Sequence, residues 1–291
     1  MVTERIITVI EEFSHKKPPA PLLISFDAEE VRKQAAASTK RFEEGKPLSI
    51  LDGIFVAIKD DIGCHPYIMK GATTWMDETN SNNEDAVCVS RLRSCGVILV
   101  GKANMHELGM GTTGNNPNYG TIRNPHAPER YTGGSSSGPA AIVASGICSA
   151  ALGTDVVGLK TTYGSLCESG TVEIIGPIAS SVEDVTLVYA AILGSCPIDK
   201  NTLKPWFNDV HSTDISDKCE DILNQLSKIH SCEVVEIVIP ELHEMSTAHL
   251  ISVGSEMLTA LNPDCEDGKG TELNYDSRTN IALFWSFTAS D

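Results

Sequence analysis

The chain has 291 residues, room for one large α/β domain or two small ones, and 41% of them are hydrophobic, which permits a sizeable core. It carries 39 acidic against 22 basic residues, a net charge of −17. Lys and Arg are scattered, which excludes the dense basic patch of a nucleic-acid-binding protein. Residues 2–14 ("VTERIITVIEEFS") read as an amphipathic helix with Ile6, Ile7, Val9, Ile10 and Phe13 on one side. Residues 27–45 read as a second helix with a thin apolar face and charges at i, i+4 spacing. "IFVAIKD" (54–60) is a short β-type run, 85–95 a helix stopped by Gly96, and "VILVGKAN" (97–104) a buried strand. Residues 109–134 read as loop, 137–147 as a small-residue helix, 148–155 as a strand and 182–194 as a helix. Beyond a polar stretch the pattern gives a helix (216–229), a strand (232–239) and a long helix (241–261), then no clear period. This alternation indicates an α/β domain.

The nine cysteines are odd in number and form no C-x-x-C pair. That favours reduced, buried thiols in an intracellular protein over a disulfide framework. Met1-Val2-Thr3-Glu4-Arg5 leads into an acidic amphipathic segment and does not read as a signal peptide. The longest apolar stretch, Pro139 to Gly153, falls short of the ~18 residues of a spanning helix.

Three motifs mislead. Gly109-Met110-Gly111-Thr112-Thr113-Gly114 matches G-x-G-x-x-G but has no strand before it and no helix after it, so it reads as loop. His243-Glu244 and His249 are wrongly spaced for the zinc-protease motif, whose histidines are four apart. Gly134-Ser135-Ser136-Ser137-Gly138 satisfies G-x-S-x-G and is followed by a helix, yet the elbow also needs a strand ending at the serine, and "NPHAPERYTG" is not one.

Lys59 ends the β-type run. Burial there would lower its proton affinity and make it a base, with serines to relay the proton and glycines to let backbone approach a carbonyl. The same residues also describe an exposed lysine after a strand and a Ser/Gly helix cap, and by themselves they favour that plainer reading.

Five blocks change the balance: "GIFVAIKDDI", "VGKANMHELGMGTTGNN", "YTGGSSSGPAAIVASG", "ALGTD" and "VGLKTTYG". In this order they resemble the amidase signature family, over residues 48–195. "GNNPNYGTIRNPHAPERYTGGSSSGPAA", "SLCESGTVEIIGPIASSVEDV" and "WFNDVHSTDISDKCEDIL" are most similar to its plant-type fatty acid amide hydrolases. The resemblance implies an α/β amidase-signature fold, a mixed central sheet flanked by helices, here incomplete. It divides the chain into an N-terminal helical segment (1–46) and a partial amidase signature domain (47–291). It implies hydrolysis of carboxamides by a Ser–cis-Ser–Lys triad, with Lys59 as base and Ser135 as the bridging serine on a cis peptide. The implied substrates are small lipid amides, N-acylethanolamines among them. No cofactor, metal or nucleic acid is implied, and there is room for a homodimer and for peripheral membrane contact.

The nucleophilic serine of the family is absent. Its segment would lie between Asp155 and Val156, where Gly153-Thr154-Asp155 runs directly into Val156-Val157-Gly158. Further gaps follow "TTYG" and precede "WFNDV", and the family continues past "SFTASD". Clean matches on both sides of the gaps point to splicing or a gene-model error. Parallel strands need a crossover of about a dozen residues, so strands 148–155 and 156–160 must merge or one must leave the sheet. The chain is therefore expected to have little or no activity. Ser136, Ser137, Thr161, Thr162 and Ser165 are the nearby hydroxyls that would have to substitute. The alternatives are a non-catalytic binding or dimerising fragment and a Ser-His-Asp hydrolase using Ser136. Lys59 and Ser135 are expected to face one another, and loss of the neighbouring loop lets the Ser135 peptide relax to trans.

Overall fold

A computed structural model describes residues 2–15, 22–76, 84–160, 174–193, 224, 227–228, 235 and 240–286. The chain opens with α1 (Val2–Ser14), β1 (Leu23–Phe26) and α2 (Ala28–Glu43). Asp27 starts α2 by accepting the backbone N–H groups of Glu29 (2.9 Å) and Glu30 (3.2 Å), two donors that a helix start leaves without intrahelical partners. There follow β2 (Phe55–Lys59), α3 (Val87–Ser94), β3 (Ile98–Ala103), the short strands β4 (Arg123–Asn124) and β5 (Ala127–Tyr131), and α4 (Ser137–Ala144). Then come β6 (Ala150–Lys160), β7 (Ile174–Ala179), α5 (Val182–Ile192), α6 (Leu242–Glu266) and α7 (Tyr275–Trp285).

Five strands form one mixed sheet in the order β1-β3-β2-β6-β7. β2 is parallel to both β3 and β6, while β1 and β7 close the two edges antiparallel. Alternation along the strands sorts side chains to two faces. Ala57, Ile98, Val100 and Ala151 pack with Ile7 and Ile10 of α1 and Ala141, Ile142 and Val143 of α4. Val56, Ile58, Leu99, Ala150 and Leu152 pack with Val89 and Leu92 of α3 and Val188 and Ile192 of α5. A third cluster joins Trp75, Met76, Leu108 and Met110 to Leu261, Leu273 and Ile281, seating α6 and α7 on the loop after β3.

Among the described residues the helices read at 2–14, 27–45, 85–95, 137–147, 182–194 and 241–261 are in place. The differences lie where tertiary pairing decides. β1 sits inside the expected helical segment 1–46 and pairs with β3, and α1 shares the main core, so this segment is built into the sheet. The stretch expected as loop contains the β4–β5 hairpin, and the aperiodic end contains α7. The expected strands 148–155 and 156–160 are one strand, β6, with no crossover between them. The expected helix 216–229 and strand 232–239 fall almost entirely outside the described residues. Among the described residues no helix is long and apolar enough to cross a membrane. Cys64 and Cys148 are buried free thiols; burial pushes the Cys64 thiol up to about 11.

Candidate active site

From β2 the chain crosses through α3 to β3 on one side, then from β3 through α4 back past β2 to β6 on the other. The two crossover helices lie on opposite faces of the sheet. The chain therefore switches direction at the carboxyl ends of β2 and β6, the position where open α/β sheets place their ligands. Lys59 is the last residue of β2 and fully buried, and Thr154 lies on β6 just past the last pairing with β2. The turn into α4 brings in Ser135 and Ser136, both half-buried.

The Lys59 nitrogen has three partners. It donates to Ser135 Oγ (2.7 Å) and Thr154 Oγ1 (2.5 Å), and it lies 3.2 Å from Asp61 Oδ2. Thr154 Oγ1 in turn donates to Asp61 Oδ2 at 2.6 Å. Asp61 is buried, and its other oxygen, Oδ1, has no hydrogen-bond partner among the described residues. Lys59 and Ser135, paired from the sequence, are thus in contact.

The Gly134–Ser135 peptide is cis, as the resemblance implies; the expected relaxation to trans does not occur. The reason is what holds this turn. The Ser135 carbonyl accepts the N–H groups of His106 (3.0 Å) and Ser137 (2.9 Å). Gly134 packs so closely that a Cβ there would fall 2.6 Å from Gly114 N. A Cβ on Gly138, whose N–H donates to Asn104 O, would lie 2.3 Å from that oxygen. Apart from the Ser137 N–H, these supports come from residues 104–114, which the chain retains.

A second buried lysine lies one strand away. Lys102 on β3 donates to the carbonyls of Asp60 (3.1 Å) and Ile62, and stands 3.8 Å from Asp60 Oδ1. Burial pushes the Asp60 carboxyl up to about 6 against the opposing pull of Lys102 and of the Ala72 N–H, which donates to it at 2.7 Å. His106, also buried, has its imidazole held below the usual range, chiefly by burial, and its Nε2 has no hydrogen-bond partner among the described residues.

Ser136 Oγ is engaged by the backbone of Thr154, donating to its carbonyl (3.2 Å) and accepting its N–H (3.3 Å). Among the described residues no histidine is hydrogen-bonded to it. Ser137 Oγ is buried without a hydrogen-bond partner among the described residues. Thr161, Thr162 and Ser165 lie outside the described residues. Residues 109–114 follow a single 3₁₀ turn rather than a strand and do not lead into a helix. His249 lies on α6 within no cluster able to hold a metal among the described residues. Asp61, Thr154 and His106 were not singled out from the sequence. The first two lie inside the matching blocks "IKDDI" and "ALGTD", and only the fold joins them.

Comparison with known proteins adds to this geometry. The Amidase family model matches residues 6–223. The fatty acid amide hydrolase of Medicago truncatula is 63% identical over an alignment of 337 positions that covers all of this chain and 56% of that protein. The enzyme of the same name from Arabidopsis thaliana is 60% identical, covering all of this chain and 55% of that protein. The chain thus spans about half the length of the curated relatives it matches. The first alignment has 337 positions for 291 residues, so about 46 positions of that relative lie opposite gaps in this chain. The native peptide amidase of Stenotrophomonas maltophilia superposes with a TM-score of 0.77 at 18% identity, covering all of this chain and 72% of that one; this is a likeness of fold.

Proposed function

Given that the chain belongs to the amidase signature family, we propose that it carries the lysine–serine half of an amide-hydrolysing site and lacks the nucleophile. Lys59 is the base and Ser135 the bridging serine. In a complete site the neutral lysine would take a proton, through the Ser135 hydroxyl, from a nucleophilic serine. That serine would attack the amide carbonyl and form an acyl-enzyme, with backbone N–H groups holding the oxyanion. The relay would then protonate the leaving amine, and water would release the acid. The names of the relatives point to fatty acid amides, including N-acylethanolamines, as the substrate class.

One observation carries this reading. The Lys59 nitrogen lies 2.7 Å from Ser135 Oγ at the carboxyl end of β2, while the neighbouring strand β6 spans Ala150–Lys160 as one strand, its register with β7 shifting between Asp155 and Lys160. The segment that brings the nucleophile in the family would have to interrupt that strand after Asp155. Loss of a nucleophile together with oxyanion donors removes several powers of ten in rate, so the chain as it stands turns over little or nothing.

A fluorophosphonate probe tests this directly. The 291-residue chain should not label, and insertion of the family's Gly-Gly-Ser segment between Asp155 and Val156 should restore labelling. The reading fails if the unaltered chain hydrolyses an N-acylethanolamine and Lys59→Ala and Ser135→Ala abolish it, since another hydroxyl would then be the nucleophile. Labelling lost only on Ser136→Ala would instead favour a Ser-His-Asp hydrolase.

A further inference from the structure

The turn at Leu108 is held against the preference of its own residue. Leu108 has a backbone φ of 55°, in the left-handed region that a leucine rarely adopts, and it is buried. Such strain persists only where the surroundings fix it, and it gathers at functional sites. Here the residues on both sides of it reach the candidate site. The N–H of His106 donates to the Ser135 carbonyl (3.0 Å), and a Cβ on Gly109 would lie 3.9 Å from Ser135 Oγ. The strained turn is thus one wall around the serine.

Two sets of contacts fix it. The Leu108 N–H donates to the Gly71 carbonyl at 2.8 Å. Before it stands Glu107, fully buried, with both carboxyl oxygens engaged: Oε1 accepts from Asn118 Nδ2 (2.8 Å) and Oε2 from the backbone N–H of Asn274 (2.9 Å). Asn274 is the N-cap of α7, 167 residues further along the chain. Hydrogen bonds are directional, so one at each oxygen pins the side chain and with it the backbone at 107. α7 adds a second tie to the same loop, Asn280 Nδ2 donating to the Met110 carbonyl at 2.7 Å.

We propose that Glu107 is a positioning residue of the candidate site: by bonding Asn118 and the start of α7 at once, it holds the left-handed turn at Leu108 in the form that carries the Ser135 carbonyl. The inference deepens the reading of Ser135 as the bridging serine and rests on it. It gives α7, a distant part of the chain, a share in shaping the serine turn. The role is exerted through the backbone of residues 106–109.

Native-state hydrogen exchange of the whole chain, resolved by nuclear magnetic resonance at the His106 and Leu108 amides, tests this. Glu107→Gln keeps the shape but turns one acceptor into a donor that faces an N–H. Both amides should then exchange about tenfold faster or more, the size expected when a buried hydrogen bond is lost. Leu261→Ala is the control: it weakens the apolar seat shared by α6 and α7 and touches no member of the Glu107 cluster. With urea used to bring the two variants to the same global stability, Leu261→Ala should leave both amides slower than Glu107→Gln does. The proposal is overturned if Glu107→Gln leaves both rates unmoved, or if Leu261→Ala raises them equally, since Glu107 would then only help to seat the helix. Should Glu107→Gln fail to fold, Asn118→Ala removes one of the two donors from a half-buried position. It should speed the same two amides, and unchanged rates overturn the proposal. Failure here removes the role of Glu107 alone, whereas the probe and insertion experiment decides the reading of Ser135.

Discussion

Two buried lysine–aspartate pairs stand at the ends of neighbouring parallel strands, Lys59 with Asp61 and Lys102 with Asp60, and they differ in what else the lysine meets. Lys59 meets two hydroxyls, which can rotate and pass protons. Lys102 meets two backbone carbonyls, which can do neither. The same residue types, equally buried, therefore meet groups able to pass protons in one place and fixed carbonyls in the other, where the lysine is a strut. The strut fixes the 60–62 turn that carries Asp61, so the second pair supports the first.

The comparison breaks most easily at Lys102. Lys102→Met strands the Asp60 and Ile62 carbonyls without their donor and leaves the buried Asp60 carboxyl without the cation that stands 3.8 Å from it. Removing one partner of a buried ion pair costs about 3–5 kcal/mol, to be read from the shift in the urea unfolding midpoint. Lys59→Met should cost clearly less, because Thr154 still donates to Asp61 and the Ser135 hydroxyl can turn away. Equal losses would remove the distinction between strut and site.

Next comes the pH response of Asp60. Its folded-state carboxyl is raised to about 6, so between about pH 4 and pH 6 the folded chain holds a proton that the unfolded chain has released. This contribution is fully present below pH 4 and fades as pH rises through 6. It is worth on the order of 3 kcal/mol. Stability curves in urea across that range should fall in the native chain, and Asp60→Asn should abolish this component.

Asp52 sharpens the point with the opposite sign. Its side chain is buried and takes two bonds from Arg41 (2.6 and 2.7 Å), one from the Ser38 hydroxyl and one from the Leu48 N–H. Arg41, the largest influence, holds its carboxyl well below the usual range. Its stabilisation is present above about pH 4 and disappears as acid protonates it. Asp52→Asn should cost about 2 kcal/mol near pH 6, as expected for lost charge-assisted hydrogen bonds, and progressively less below pH 4. A variant whose deficit is the same at pH 3 would contradict this.

Smallest is Asp27, a carboxylate that only caps α2 at the surface. Asp27→Ala should lower stability by about 1 kcal/mol, measured by thermal unfolding. A loss as large as that at Lys102 would mean that burial is not what separates the pairs from an ordinary cap.

Much of the fold was legible where a local period exists. Ile6, Ile7, Val9 and Ile10 mark α1, and "FVAIK" and "ILVGKA" mark β2 and β3, because burying one face imposes its repeat on the sequence. "LISF" (β1) is too short to show a period, and it is a strand because β3 offers an edge. "APERY" (β5) is exposed and has no apolar face to alternate. α7 mixes apolar and polar residues around its circumference and is fixed by its seat on Met76, Leu108 and Met110.

For the site, the sequence by itself singled out Lys59 and Ser135, because five ordered blocks that resemble a family carry both, and the two are in contact. It also determined that Asp155 runs straight into Val156, and so that no crossover separates two strands there. Only the tertiary structure decided that this join becomes a single strand, that the turn before Ser135 keeps its cis form, and that Thr154 and Asp61 close around the lysine. The reason is distance along the chain. Lys59 and Ser135 are 76 residues apart and Asp61 and Thr154 are 93 apart. A hydrogen bond between such residues leaves no periodic trace in the sequence and exists only once parallel strands bring their ends together.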